Sequence, residues 1–259
     1  VRLSFTLESG AACGNDVGMA DWSSYFARME GSPISIAVDL GLHGQVPLSD
    51  KPAAYTVAVA LRDPDEHGMT GEGEYRALQA IEDELASALE PHGIIEVGRV
   101  TGRGMRTFHY YGPRLEHADK LVGEVMNFHA EYRYRALCAE DPSWTIYTSY
   151  LYPDENQLAF ANDMKALQSL LDAGDDFERP RPIEHTITFD DTEKTETFAR
   201  AMAGHGYDIV VEHQPLHAVH CSKNDTVDPF KITEMRTALT TLAEEFGGTY
   251  SGWATAIQR

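Results

Sequence analysis

Apolar residues recur at helical spacing in five stretches of the chain. Tyr75, Leu78, Ile81, Leu85 and Leu89 form the first stripe, and Gly93 follows as a natural stop. Ala118, Leu121, Val125, Phe128 and Tyr132 share one face of a second predicted helix, and Phe160, Met164, Leu167 and Leu171 mark a third that stops at Gly174. Asp190 and Glu193 can cap a fourth, packed through Phe198 and Met202 and ended by Gly206. Asp228-Pro229 pairs an N-cap acid with a proline in the first turn. It opens a fifth helix carrying Ile232, Met235, Leu239, Leu242 and Phe246, and Gly247-Gly248 ends it.

Runs rich in Ile and Val, bounded by turn residues, predict strands between these helices. In the first half they cover residues 33–40, 54–61, 94–101, 105–111 and 144–151, with a hairpin turn at Gly102-Arg103-Gly104. In the second half Ile183, His185, Ile187 and Phe189 alternate along a strand. Residues 207–212 and 216–222 make a hairpin around Pro215, and residues 250–257 are the last strand. Each half therefore reads β-α-β-β-α-β, with an extra strand ahead of the first and an extra helix ahead of the second. That order predicts an α+β fold of two ferredoxin-like modules, residues 1–155 and 156–259, with helices packed on one face of antiparallel sheets.

The formal net charge of −20 is spread over both halves. Phosphate binding needs a concentrated basic surface, so nucleic acid is not expected as a direct partner. The same acidity suits encounter with a cationic protein, and serves equally as simple solvation. No run approaches the length of a membrane span. Residues 1–14 hold one basic residue and no sustained apolar core, unlike a secretory signal, and Gly10-Ala11-Ala12-Cys13 lacks the hydrophobic segment a lipoprotein site needs ahead of it. Three widely spaced cysteines, Cys13, Cys138 and Cys221, with no CxxC, fit reduced thiols better than a disulfide framework.

The chain contains no GxSxG, HExxH, P-loop or EF-hand motif, and no cofactor is expected. His213, His217, His220 and Cys221 have zinc-binding chemistry, but strand alternation turns His220 away from His217 and Cys221. Asp175-Asp176 and Asp190-Asp191 could supply acid/base pairs, or a turn and a helix cap. Arg179 and Arg181, stiffened by Pro180 and Pro182, could contact a partner's carboxylates or pair with Asp175 and Asp176. Arg99, Arg103 and Arg106, with Tyr110 and Tyr111 nearby, could form an anion-binding face. Trp253 could anchor an interface or sit in the core.

The second half carries a further ordered set: Asn162-Asp163-Met164, Leu170 to Asp176, Arg179 to His185, Phe189, Phe198, Gly206-Tyr207, Asp225, Val227-Asp228, Ile232, and Gly247 through Trp253. In these residues it resembles the regulator of ribonuclease E activity B. Thr186, Ser251 and Ala254 stand where that family has an aromatic and two acids. The first half, through Trp22, Tyr25, Pro33 to Ile36, Glu82-Asp83, Gly98-Arg99, Thr101-Gly102 and Tyr110-Tyr111, resembles the uncharacterised domain that often precedes that one in bacterial proteins. The resemblance implies a bacterial cytoplasmic protein that binds the endoribonuclease, or a related RNA-processing factor, and lowers its activity without cutting RNA. The candidate partner-binding residues are Asp175, Asp176, Arg179, Arg181, His185, Asp225, Asp228 and Trp253. The alternative is an enzyme or small-molecule binder with its site between the two modules.

Overall fold

The computed structural model describes residues 20–71, 73–214 and 216–259. Gly10 to Cys13 and the turn residue Pro215 lie outside them. Internal packing divides the chain into a first unit ending at Ala161 and a second beginning at Asn162.

In the first unit β1 (Trp22–Met29) and β2 (Ser32–Asp39) precede β3 (Ala53–Ala60), α1 (Tyr75–Leu89), β4 (Ile95–Gly102), β5 (Met105–Gly112), α2 (Ala118–Asn127) and β6 (Tyr134–Glu140). The sheet order is β1-β2-β4-β5-β3-β6, and every pairing is antiparallel. From β3 onward the first strand of the motif lies between its third and fourth, which is the ferredoxin-like order. The β1–β2 hairpin extends that sheet beyond β4. In the second unit α3 (Glu155–Asp172), within which the division falls, leads to β7 (Arg181–Phe189), α4 (Thr192–Gly204), β8 (Asp208–Glu212), β9 (His217–Asp225), α5 (Pro229–Glu245) and β10 (Thr249–Thr255). Its sheet runs β10-β7-β9-β8, the same order.

Local chemistry accounts for the boundaries. The helix begun by α1 runs on through a 3-10 turn to His92 and stops at Gly93, whose φ of 74° favours glycine. Arg103 (φ 56°) and Gly104 (φ 76°) make a two-residue hairpin turn with both central residues left-handed, matching the twist of β4 and β5. Asp228 caps α5 by accepting from Phe230 N (2.9 Å) and Lys231 N (3.0 Å). Asp191, rather than the expected Asp190, caps α4 through Lys194 N (2.8 Å), and Asp190 pairs with the Lys194 side chain at 3.0 Å.

Three expectations are corrected. Residues 144–151 are not a strand: Trp144 has a left-handed backbone (φ 56°), and a π-helical turn follows over Ile146–Leu151. An apolar run of that length suits a buried helical turn as well as a strand, and packing decides. Trp144 stacks on Tyr111 with ring centroids 4.0 Å apart and donates from Nε1 to Lys51 O (3.0 Å), while Tyr147 donates to Asp39 O (2.7 Å). The strand that closes the motif is β6, an edge strand whose side chains are mostly exposed and carry no alternation to read. The strand β1 was not expected. Finally, α2 buries Ala118, Val122 and Met126, while Phe128 lies past its end and is 84% exposed.

One face of the first sheet, with Tyr55, Val57, Val59 and Phe108, packs on Leu78, Ile81, Leu85 and Leu89 of α1 and Val122 and Met126 of α2. Its other face packs Ile36, Val38, Val97 and Tyr111 under Leu42, Trp144, Tyr147 and Leu151. In the second unit Ile187, Phe189, Val219 and Cys221 pack on Phe198 and Met202 of α4 and Leu239 and Ala243 of α5. Trp144→Ala removes a fully buried ring and its stacking partner's support, so it should destabilise the first unit by about 3–5 kcal/mol in urea denaturation. Phe128→Ser should shift the same transition by less than about 0.5 kcal/mol.

Candidate interaction surface

The loop after α3 folds back onto the start of β7 and the end of β10. Asp175 is paired with Arg181, both side chains being buried, and its other oxygen accepts from Gln258 N at 2.8 Å. Arg181 also donates to Asp176 O (3.0 Å) and Thr255 Oγ1 (3.2 Å). Asp176 is exposed and accepts from Glu178 N and Arg179 Nε, each at 3.1 Å. Val227 N donates to Phe177 O (3.0 Å), joining this loop to the turn before α5. Asp225, the cross-strand partner of Arg181, accepts from Lys231 Nζ at 2.5 Å, and that hydrogen bond lowers its pKa. Six expected contact residues are thus gathered at one end of the sheet. Asp176, Arg179, Asp225 and Asp228 reach solvent. Asp175 and Arg181 are closed off and act by fixing the loop.

His185 and Trp253 are cross-strand partners on the helix-facing side. The expectation of direct partner contact is corrected at His185, which is closed off from solvent, whereas Trp253 is half-buried against the interior. His185 is fully buried, with Nδ1 2.9 Å from the Tyr250 hydroxyl, and burial lowers its pKa to about 4. Trp253 donates from Nε1 to Asp163 Oδ1 (2.9 Å), and Asp163 Oδ2 accepts from Arg236 Nε (2.6 Å). Asp163 and Arg236 are both buried, so this chain of bonds ties α3, α5 and β10 together.

The other candidates separate. Cys221 is buried and its thiol is pushed up to about 12 by burial, whereas His220 points to the opposite side of β9. Among the described residues no group of three or more His, Cys, Asp or Glu side chains could hold a metal. Arg99, Arg103 and Arg106 share no anion-binding face: Arg99 pairs with Glu82, Arg103 with Glu30 (3.0 Å), and Arg106 is buried against Thr101 (3.0 Å). Tyr111 lies on the far side of the sheet from Tyr110, donating to Asp141.

The feature not foreseen is the face of the second sheet opposite α4 and α5. The alternation that buries Ile183, His185 and Ile187 turns Glu184, Thr186 and Thr188 outward. Register sets them beside Ser222 and His220 of β9, then Asp208, Val210 and Glu212 of β8. His220 sits at the centre, with Nδ1 3.0 Å from Thr186 Oγ1 and its ring nitrogens 3.7 Å from Glu184 and 3.4 Å from Glu212. Val210 is 65% exposed. These outward positions hold three carboxylates and no Lys or Arg. Thr186, Ser251 and Ala254 all lie on this face, Ser251 through its contact with Thr188 (3.3 Å) and Ala254 as the partner of Glu184. The alternation of β7 was the one signal that pointed to it; β8 and β10 had to be placed by pairing.

Residues 20–152 match the model of a family of unknown function (DUF695), and residues 161–255 match the model described as regulator of ribonuclease activity B. No curated protein matches the chain. Solved structures that match include one assigned as a glycine cleavage system transcriptional repressor, at 9% identity and a TM-score of 0.21, with 80% of this chain and 99% of that one covered. Another is an unknown protein from Galdieria sulphuraria, at 14% identity and a TM-score of 0.19, with 78% and 98% covered. No helix among the described residues is long and apolar enough to cross a membrane.

Asp163→Ala should destabilise the second unit by about 3–5 kcal/mol in equilibrium unfolding, because it strands the buried Arg236 guanidinium and the Trp253 donor together. Acidification should act through His185. Its folded pKa, about 4, lies below the ordinary 6.5, so the unfolded chain takes up the proton first. Stability should therefore fall by up to about 3 kcal/mol as pH drops from about 6.5 to about 4, and His185→Phe should remove that contribution. His109 in the first unit is lowered to about 4 by burial as well, so part of the acid limb should persist in the variant.

Proposed function

Because this chain belongs to the DUF695 family and its second unit matches the regulator of ribonuclease activity B, we propose that it is a non-catalytic regulator that binds a protein through that second unit. The candidate partner is ribonuclease E or a related RNA-processing factor, and the consequence of binding is lowered RNA cleavage. Acting on such a factor puts the protein in the bacterial cytoplasm.

The observation that carries the reading is the bare, acidic face of the second sheet. Glu184, Glu212 and Asp208 give it one sign of charge, and the Thr186–His220 contact and exposed Val210 give it a firm centre with some apolar area. Such a face complements a basic, partly apolar polypeptide segment. Asp176, Arg179, Asp225 and Asp228 gather at the ends of the central strands β7 and β9, with Asp225 on the helix-facing side as the partner of Arg181, and form a separate polar group from this face. Direct binding of RNA would have to overcome the repulsion between phosphates and these carboxylates. The carboxylates considered for acid/base chemistry are engaged by neighbours: Asp175 by Arg181, Asp176 by Arg179, Asp190 by Lys194 and Asp191 by the start of α4.

The purified chain titrated with purified ribonuclease E should bind with an affinity that falls as salt rises, and should slow cleavage of a fluorogenic RNA. Glu184→Gln with Glu212→Gln should weaken binding about 5- to 30-fold and flatten the salt dependence, while leaving the melting temperature nearly unchanged. No detectable binding to ribonuclease E would refute that partner. Binding that the double variant leaves intact would refute the sheet face.

A further inference from the structure

The helix-facing side of the first sheet is largely apolar, with a notable polar group beneath α1. Glu96 and Arg99 come from β4, Tyr110 from β5 and Glu82 from α1. Glu96 and Tyr110 are cross-strand partners, which puts both side chains on the same face of the sheet. Tyr110 is fully buried, and neither its hydroxyl nor the buried Glu96 Oε1 has a hydrogen-bond partner among the described residues. Beside them Arg99 Nη1 donates to Glu82, each of these side chains being 13% exposed.

Charge balance sets the problem. Arg99 and Glu82 neutralise one another. Glu96 is a second carboxyl there, partly buried with its Oε1 closed off from water, and among the described residues the charges near it are Glu82 and Asp83 of α1 and Arg99 of its own strand, with the neutral Tyr110 opposite. An ionised Glu96 would sit between a single guanidinium already committed to Glu82 and two further carboxylates, with little water to solvate it. A protonated Glu96 avoids that cost and gains a hydroxyl that can donate to Glu82.

We propose that Glu96 is a built-in proton switch of the first unit: protonated, it lets α1 seat on β4 over the Glu82–Arg99 pair, and loss of the proton loosens that seat. The inference goes beyond the proposed function, which rests on the second unit. Burial, and then the Glu82 charge, raise the Glu96 pKa well above the ordinary 4.5. The folded unit therefore holds a proton that the unfolded chain releases near 4.5. The stabilisation is complete below that pH and is lost as pH rises toward the folded value. The direction is opposite to that of His109 and His185, which weaken the fold on acidification, so the two effects separate on the pH axis.

The test compares the full chain with Glu96→Gln, whose amide mimics the protonated carboxyl at every pH. Infrared spectra at neutral pH should show a carboxylic-acid C=O band in the parent chain that is missing from the variant. Melting temperatures should coincide near pH 4.5 and diverge upward, with the variant the more stable at about pH 8. Glu82→Gln takes away the carboxylate whose charge opposes ionisation of Glu96, and should weaken the same infrared band although Glu96 is still present. Absence of the band from the parent chain would overturn the proposal. So would a band that survives Glu96→Gln, or melting curves of parent and variant that run parallel across the whole range.

Discussion

In each sheet the strand that opens the βαββαβ motif, β3 in the first unit and β7 in the second, is hydrogen-bonded on both sides. A strand in that position has every backbone donor and acceptor taken, so its side chains are left with two faces and nothing else to decide. In β3, Tyr55, Val57 and Val59 look toward α1 and α2. In β7, Ile183, His185, Ile187 and Phe189 are buried on one side while Glu184, Thr186 and Thr188 look out. The helices of the motif are placed by which of those faces they cover, and the remaining strands by pairing.

The two units then diverge in what they do with the second face. In the first, Trp144, Tyr147 and Leu151 close it, and the Trp144–Tyr111 stack locks the π-helical turn in place. In the second, no helix among the described residues of the unit packs there, and apart from Val210 the outward side chains are mostly polar or acidic with His220 at the centre. A sheet that leaves one face to water has to keep it polar, which is also what makes it usable by a charged partner.

Residues that look like a recognition signature by their charge are in large part structural. Asp175 and Arg181 join a loop to the end of β10, and Asp163 links Trp253 to Arg236 across three elements. A charged side chain earns a buried position by satisfying several neighbours at once, and these do. The surface that remains for a partner is made of residues with weaker individual identity, namely threonines, a histidine and a few carboxylates.

The ferredoxin-like class and most of the order of elements were legible in the chain because they rest on local period: the stripe from Tyr75 to Leu89, the Asp228-Pro229 helix start and the alternation from Ile183 to Phe189. What tertiary structure alone decided depends on partners distant in sequence. The run 144–151 suited a strand or a buried helical turn equally until Tyr111 and Asp39 were beside it. β6 has no pattern of its own and exists as a strand because β3 offers it a free edge. Whether Asp175, Arg181, His185 and Trp253 face solvent or the interior turned on contacts reaching up to ninety residues along the chain. Periodicity tells which residues share a side of an element, but burial of a polar group is settled by whether a distant donor or acceptor arrives to satisfy it.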